Sequence, residues 1–101
     1  MRVLRRRPGD WMTEVIWSRK SIRQLRGIET YVARFRPLAA QRLALRIIAS
    51  TDDLRAFPDA GRPISRGRRQ IVAISPYILR YRHEEDAVVI LEVRHGATIT
   101  D

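Results

Sequence analysis

The spacing of apolar residues changes period once along this chain, and the change fixes the order of its elements. From Ser18 to about Leu54 apolar side chains recur at steps of three and four. Ile22, Leu25, Ile28 or Val32, and Phe35 form one run, and Leu43, Ile47, Ile48 and Leu54 form the next, which is the stripe of an amphipathic helix. From Arg69 onward the apolar residues alternate, as half-buried strands require. Between the two regimes lies FPDAGRPISRGRR, 57–69, whose two prolines and two glycines stop any helix and make a loop.

Local signals set the boundaries. TEVIW, 13–17, is rich in β-branched and aromatic residues and reads as a strand. Ser18 then stands at an N-cap, opening a helix over about 18–35, and Pro37 suits the first turn of a second. Short linkage makes the two a hairpin. Three strands follow, at 69–74, 77–83 and 87–94, with Ser75-Pro76 and Glu84-Glu85-Asp86 as turns, the last pair forming an antiparallel hairpin. The expectation is an α+β fold, one domain over residues 13–101. Residues 1–12, MRVLRRRPGDWM, read as a basic tail outside it, either disordered or an arm that holds nucleic acid.

Charge and composition narrow the partners. Nineteen arginines and one lysine stand against 11 acids, for a net charge of +9. Arginine's planar fork suits phosphates and carboxylates, which favours nucleic acid or an acidic protein, although a solvated basic surface has the same composition. Cysteine is absent, so no disulfide framework or thiolate site exists. No segment approaches the ~20 apolar residues of a membrane span, and the basic leader has too short an apolar stretch for a secretory signal. A cytoplasmic protein without membrane contact is expected.

Period two assigns faces to the C-terminal strands. Tyr77, Leu79 and Tyr81 share one side of their strand, and Ile78, Arg80 and Arg82 the other. In the last strand Val89, Leu91 and Val93, with His95 in register, are expected opposite Val88, Ile90, Glu92 and Arg94. One face would meet the helices. The other would carry Arg80, Arg82, Glu92 and Arg94 as an uncovered basic surface, with Arg66, Arg68 and Arg69 on the loop leading into it. Arg80 and Arg82 could equally be cross-strand ion partners of Glu92, worth about 0–1 kcal/mol on a surface. His95 could be structural, and Tyr31, Tyr77 and Tyr81 suit a core or a partner.

Several chemistries are excluded. His83 and His95 lack neighbours at metal-ligand spacing, so no metal or other cofactor is expected. GRPISRG lacks the ending of a phosphate-binding nucleotide loop. Cleavage of RNA by its own 2′-hydroxyl needs a base, cations and an acid. Arg80, Arg82 and Arg94 supply cations and His95 or Glu92 a base, yet GATITD after His95 offers no tyrosine, lysine or second histidine as the acid.

The ordered set VIWS, LRGIETYVAR, FPDAGRPI and YILRYRHEEDAVVILEVRHGA resembles the ParE/RelE superfamily of type II toxin–antitoxin toxins over residues 13–97. The resemblance implies two helices packed on a small curved antiparallel sheet and a cognate antitoxin, ParD-like or similar, whose acidic C-terminal segment wraps the toxin. RelE-like members cut mRNA on the ribosome with basic sheet residues and a C-terminal tyrosine, lysine or histidine. This chain keeps Arg80 and Arg82, but its VRHGA ending looks like the ParE branch, which poisons DNA gyrase. That branch implies no catalytic residues, growth arrest, a role in plasmid or genome maintenance, and operator DNA bound through the antitoxin. Antitoxin or target would meet Arg80, Arg82, Glu92, Arg94, His95, Arg66, Arg68 and Arg69. A ribosome-dependent endoribonuclease, or a basic nucleic-acid-binding protein without toxicity, are the alternatives.

Overall fold

In the computed structural model residues 13–96 are described; the basic leader 1–12 lies outside them. The elements run β1 (Glu14–Trp17), α1 (Arg19–Ala33), α2 (Pro37–Ala49), α3 (Asp53–Ala56), β2 (Arg62–Pro63), a 3-10 turn (Ser65–Gly67), β3 (Arg69–Ile74), β4 (Tyr77–Glu84) and β5 (Ala87–His95). The sheet order is β1-β5-β4-β3-β2. The helical hairpin on a small sheet is as expected. The sheet itself is mixed: β1 runs parallel to β5, because the chain leaves β1 straight into α1 and returns only after crossing the molecule.

Ser18 makes that abrupt exit workable. Its Oγ accepts from Ser21 N at 3.1 Å, capping α1, while its own N–H donates to Ile90 O at 3.0 Å. Pro37 begins α2, where its missing N–H costs nothing. The core lies between hairpin and sheet: Leu25, Ala44, Ile47 and Leu54 meet Leu79, Tyr81, Val88, Ile90 and Val93. Leu54 belongs to the short α3 and not to α2, yet it still reaches the core.

Strict alternation slips in β3, between Val72 and Ile74, and again in β5, where it changes the reading of the faces. Arg80 pairs with Glu92 but Tyr81 pairs with Ile90, so Leu91 is the extra residue of a β-bulge. Before the bulge Val88 and Ile90 face the helices, fully buried, and after it Val93 does. The expected grouping of Val89 with Leu91 and Val93 is therefore wrong for Val89, which shares the side of Arg82. The bulge gives β5 inward-facing apolar side chains on both sides of a local slip in register.

The loop after α3 is locked onto the sheet by Tyr81. This ring is wholly buried, its hydroxyl donates to Pro58 O at 2.7 Å, and it accepts from Gly61 N at 2.9 Å. Burial pushes the phenol's pKa above its ordinary value, with the Gly61 hydrogen bond and Arg69 opposing. A raised folded-state pKa means stability is complete below the unfolded value of about 10 and is lost as pH rises through the folded value. Tyr81→Phe should lower stability by about 1–3 kcal/mol at neutral pH, because two buried backbone groups lose their partner. It should also flatten the decline above about pH 10, which urea titrations at a series of alkaline pH values will measure.

Candidate functional site

Strand alternation gathers the basic residues on the side of the sheet away from the helices. Arg80 and Arg82 on β4 share that side with Glu92 and Arg94 on β5, since Arg80 pairs with Glu92 and Ile78 with Arg94. Arg68 reaches it from the end of the 3-10 turn, held by hydrogen bonds from its Nε to Ser65 O at 3.1 Å and from its Nη2 to Ser65 Oγ at 2.9 Å. Lys20 reaches it from the first turn of α1. Glu92 is the hub: its carboxylate lies 3.6 Å from Lys20 Nζ, 3.7 Å from Arg68 Nη1 and 3.6 Å from Arg94 Nη1. Lys20 had no signal in a strand-based reading, because its place depends on how α1 crosses the sheet.

Two features of the expected basic surface need correction. Arg80 is not uncovered; it is 6% exposed, and its Nε donates to Gln70 Oε1 at 3.0 Å on the neighbouring strand. It is also no ion partner of Glu92 despite facing it, because that carboxylate turns to Lys20, Arg68 and Arg94. Arg69 lies on the other side of the sheet, in register with Tyr81. There its Nη1 donates to Asp59 O at 3.1 Å and Gly61 O at 2.8 Å, so it braces the loop. Arg82 is exposed as expected, and Arg66 is exposed in the turn at φ 62°, a left-handed conformation that a non-glycine residue adopts only under local constraint.

His95 falls opposite the arginines. It pairs with Tyr77 on the helix side of the sheet, ring edge to ring face, with centroids 5.6 Å apart. Together with Gln24, Ile28, Tyr31 and Arg94 these two rings line a cavity of about 520 Å³ at the strand end. The other histidine, His83, bonds Asp59 Oδ1 at 2.8 Å. That bond, followed in effect by the charges of His83 and Arg69, holds the Asp59 carboxyl below its usual range although burial opposes it. No cluster of metal-ligating side chains occurs among the described residues.

A second surface emerges on the helical hairpin. Trp17, Ile22, Leu25, Ala44, Leu45 and Ile48 line a groove of about 520 Å³, with Arg26, Glu29 and Gln41 at its rim. Leu45 is 62% exposed, Ile48 43% and Ile22 39%, an apolar patch for which the domain's own core has no use. The hairpin that carries it, residues 18–50, has eight basic side chains and Glu29 as its lone acid, and of these Arg26 and Glu29 line the groove. The sequence pattern had placed Ile22 and Ile48 in the core stripe; they belong to a wider stripe with a second face.

Comparison with known proteins agrees with this architecture. The family model described as the ParE toxin of the type II toxin–antitoxin system parDE matches residues 15–100. The chain belongs to the ParE toxin family. Toxin RelE2 of Caulobacter vibrioides is 36% identical over 88 residues, covering 87% of this chain and all of that protein. The putative toxin Y4kP of Sinorhizobium fredii is 38% identical over 82 residues, covering 79% of this chain and 84% of the relative. Among solved structures, a chain of the chromosomal ParDE system from P. aeruginosa shares the fold, with a TM-score of 0.75 at 24% identity, covering 83% of this chain and 96% of that one. This ParE-family toxin is thus a type II toxin–antitoxin component built on the expected hairpin and sheet. No helix among its described residues is long and apolar enough to cross a membrane.

Proposed function

We propose that this toxin arrests growth by poisoning DNA gyrase, without chemistry of its own, and that a cognate antitoxin neutralises it. One observation carries the reading: His95, the imidazole an RNA-cutting site would need, stands across the sheet from Arg80 and Arg82, and of the sheet-face cations Arg94 alone reaches the recess His95 lines. A proton carried there does not meet the phosphate those cations would hold. The antitoxin is a segment that presents apolar residues to the Trp17–Leu45–Ile48 groove and acids to Arg26 and the other basic side chains of the hairpin. Its acidic residues also pair with exposed Arg82 and Arg94, and operator DNA is reached through the antitoxin.

A ribosome-dependent endoribonuclease is the second reading, favoured by Lys20, which brings an ammonium group among the sheet arginines. Expression without antitoxin separates the two. Gyrase poisoning is expected to induce the DNA-damage response and filamentous cells with transcripts intact, and purified toxin should accumulate cleaved DNA with gyrase. Transcripts cut at defined positions on the ribosome, with unbroken DNA, would overturn the gyrase reading.

A further inference from the structure

Helix α1 carries a glycine for which the domain's own packing has no use. Gly27 lies mid-helix within Arg19–Ala33, where glycine is less favourable than alanine. A crowded neighbour would explain it, yet a Cβ built there meets no atom within 4 Å. The open space belongs to the recess at the strand end, which Gly27 lines together with Tyr31, Tyr77 and His95. Bare helix backbone beside such a recess lets another chain approach closely, one of the uses that glycine serves.

At 3.6 residues per turn, this recess and the apolar groove occupy different flanks of α1. Gln24, Gly27 and Tyr31 turn to the recess, Ile22, Arg26 and Glu29 to the groove, and Leu25 and Ile28 between them meet the core. A partner on one flank therefore leaves the other open. Tyr31 is 60% exposed and Phe35 68%, and their rings meet edge to face with centroids 5.5 Å apart, so the aromatic wall continues along the helix as a pre-oriented anchor. Arg23, one turn before Gly27, and Arg34, two turns after it, lie on the same side and are exposed. Arg94 stands at the rim, and no carboxylate lines the recess. Aromatic rings and arginines around a desolvatable pocket are the composition of a protein interface. The unopposed cations select an acidic partner.

We propose that this flank of α1 docks the protein that the toxin poisons, through an acidic segment whose backbone crosses Gly27 and whose apolar side chains enter the recess. This role rests on the reading of gyrase as the target, and it adds the surface by which the target is met. Antitoxin seated on the groove flank would leave Gly27 uncovered.

The test uses the purified full chain with purified gyrase in biolayer interferometry, and cells expressing the toxin without antitoxin. Gly27→Leu fills the recess with a good helix former and should weaken gyrase binding at least about tenfold, the cost of a residue central to an interface, with growth arrest reduced in parallel. Gly27→Ala should raise the melting temperature by about 2–8 °C, and a leucine variant that melts at or above the parent shows that its defect is not one of folding. Arg23→Glu should weaken gyrase binding, whereas Arg55→Glu, the same reversal on α3, should leave it near the parent's. If Gly27→Leu fails to fold, the contrast between these two arginine variants decides alone. Antitoxin affinity, titrated on each variant, should stay at the parent's level. Full arrest and parent-level gyrase binding by Gly27→Leu would overturn the proposal and leave the gyrase reading standing. A parent that does not bind gyrase, with arrest still abolished by Gly27→Leu, would sink the gyrase reading and keep the docking surface. Weakened antitoxin binding with arrest retained would give this flank to the antitoxin and overturn the proposal. So would a parent that cuts transcripts and a leucine variant that does not, since the recess would then serve RNA.

Discussion

Gly61→Ala should lower the unfolding free energy by about 2–4 kcal/mol, the largest stability effect expected of any single methyl group in this fold. An added Cβ would lie 2.7 Å from Tyr81 Oη, 2.8 Å from Tyr81 Cε1 and 3.0 Å from Gln70 O. The ring cannot retreat, because it is fully buried and tied by its hydroxyl to Pro58 O and Gly61 N. Nor can the loop lift off, since Arg69 ties Gly61 O to β3 at 2.8 Å. Overpacking therefore displaces a hydrogen-bonded group whichever way it relaxes. Thermal melting should show the loss as about 4–8 °C per kcal/mol for a domain of this size. Combined with Tyr81→Phe the cost should be less than additive, because removing Oη clears the nearest clash while the Cε1 contact persists. An alanine variant that melts within 2 °C of the parent, with ~0.5 kcal/mol as the corresponding limit, would mean the loop is not fixed as described.

The glycine and tyrosine of that lock sit 20 residues apart. Sequence patterning marked FPDAGRP only as a loop and Tyr81 only as a core or partner residue. Nothing in local spacing says that a phenol and a glycine N–H will meet; that pairing depends on where α3 returns the chain. The helices and strands were legible for the opposite reason. Ser18, Pro37 and the turn residues act within a few positions, and the apolar periods of α1, α2 and β3–β5 are strong enough to show through the arginines.

The basic face was legible only in part. Alternation correctly grouped Arg80, Arg82, Glu92 and Arg94, because β4 is regular and Glu92 and Arg94 lie beyond the bulge. It failed for Val88, Val89 and Ile90, which precede Leu91, since one extra residue inverts every earlier assignment in the strand. A run of five consecutive apolar residues, 87–91, gave no polar marker by which to find the slip. Arg69 was misplaced by a simpler error: a residue at a strand's first position was treated as part of the preceding loop, when its register with Tyr81 sends it to the helix side. The groove on the hairpin was missed as a surface because a periodic stripe tells which residues are apolar and leaves open how wide a stripe the core will cover.

That groove carries the largest expected effect on binding. Leu45→Glu together with Ile48→Glu should weaken the antitoxin complex by at least about 100-fold, while leaving the free toxin's melting temperature within a few degrees. Both side chains already face solvent in the toxin alone, so little core packing is lost, and glutamate is a good helix former. In the complex each aliphatic side chain contributes about 1.5–3 kcal/mol when fully buried, and 1.4 kcal/mol is tenfold in affinity. The new carboxylates also join Glu29 at the groove and repel an acidic partner, which slows encounter as well as hastening escape. Calorimetric titration of the antitoxin measures the affinity, and co-expression supplies the cellular counterpart: the variant should remain toxic when antitoxin is present. Arg82→Glu on the sheet face, tested alongside, should cost far less, because a single exposed ion pair contributes only about 0–1 kcal/mol. Undiminished rescue of the double variant would mean that the antitoxin's apolar contacts lie elsewhere, and loss of toxicity in the free variant would mean that target and antitoxin compete for the same helical face.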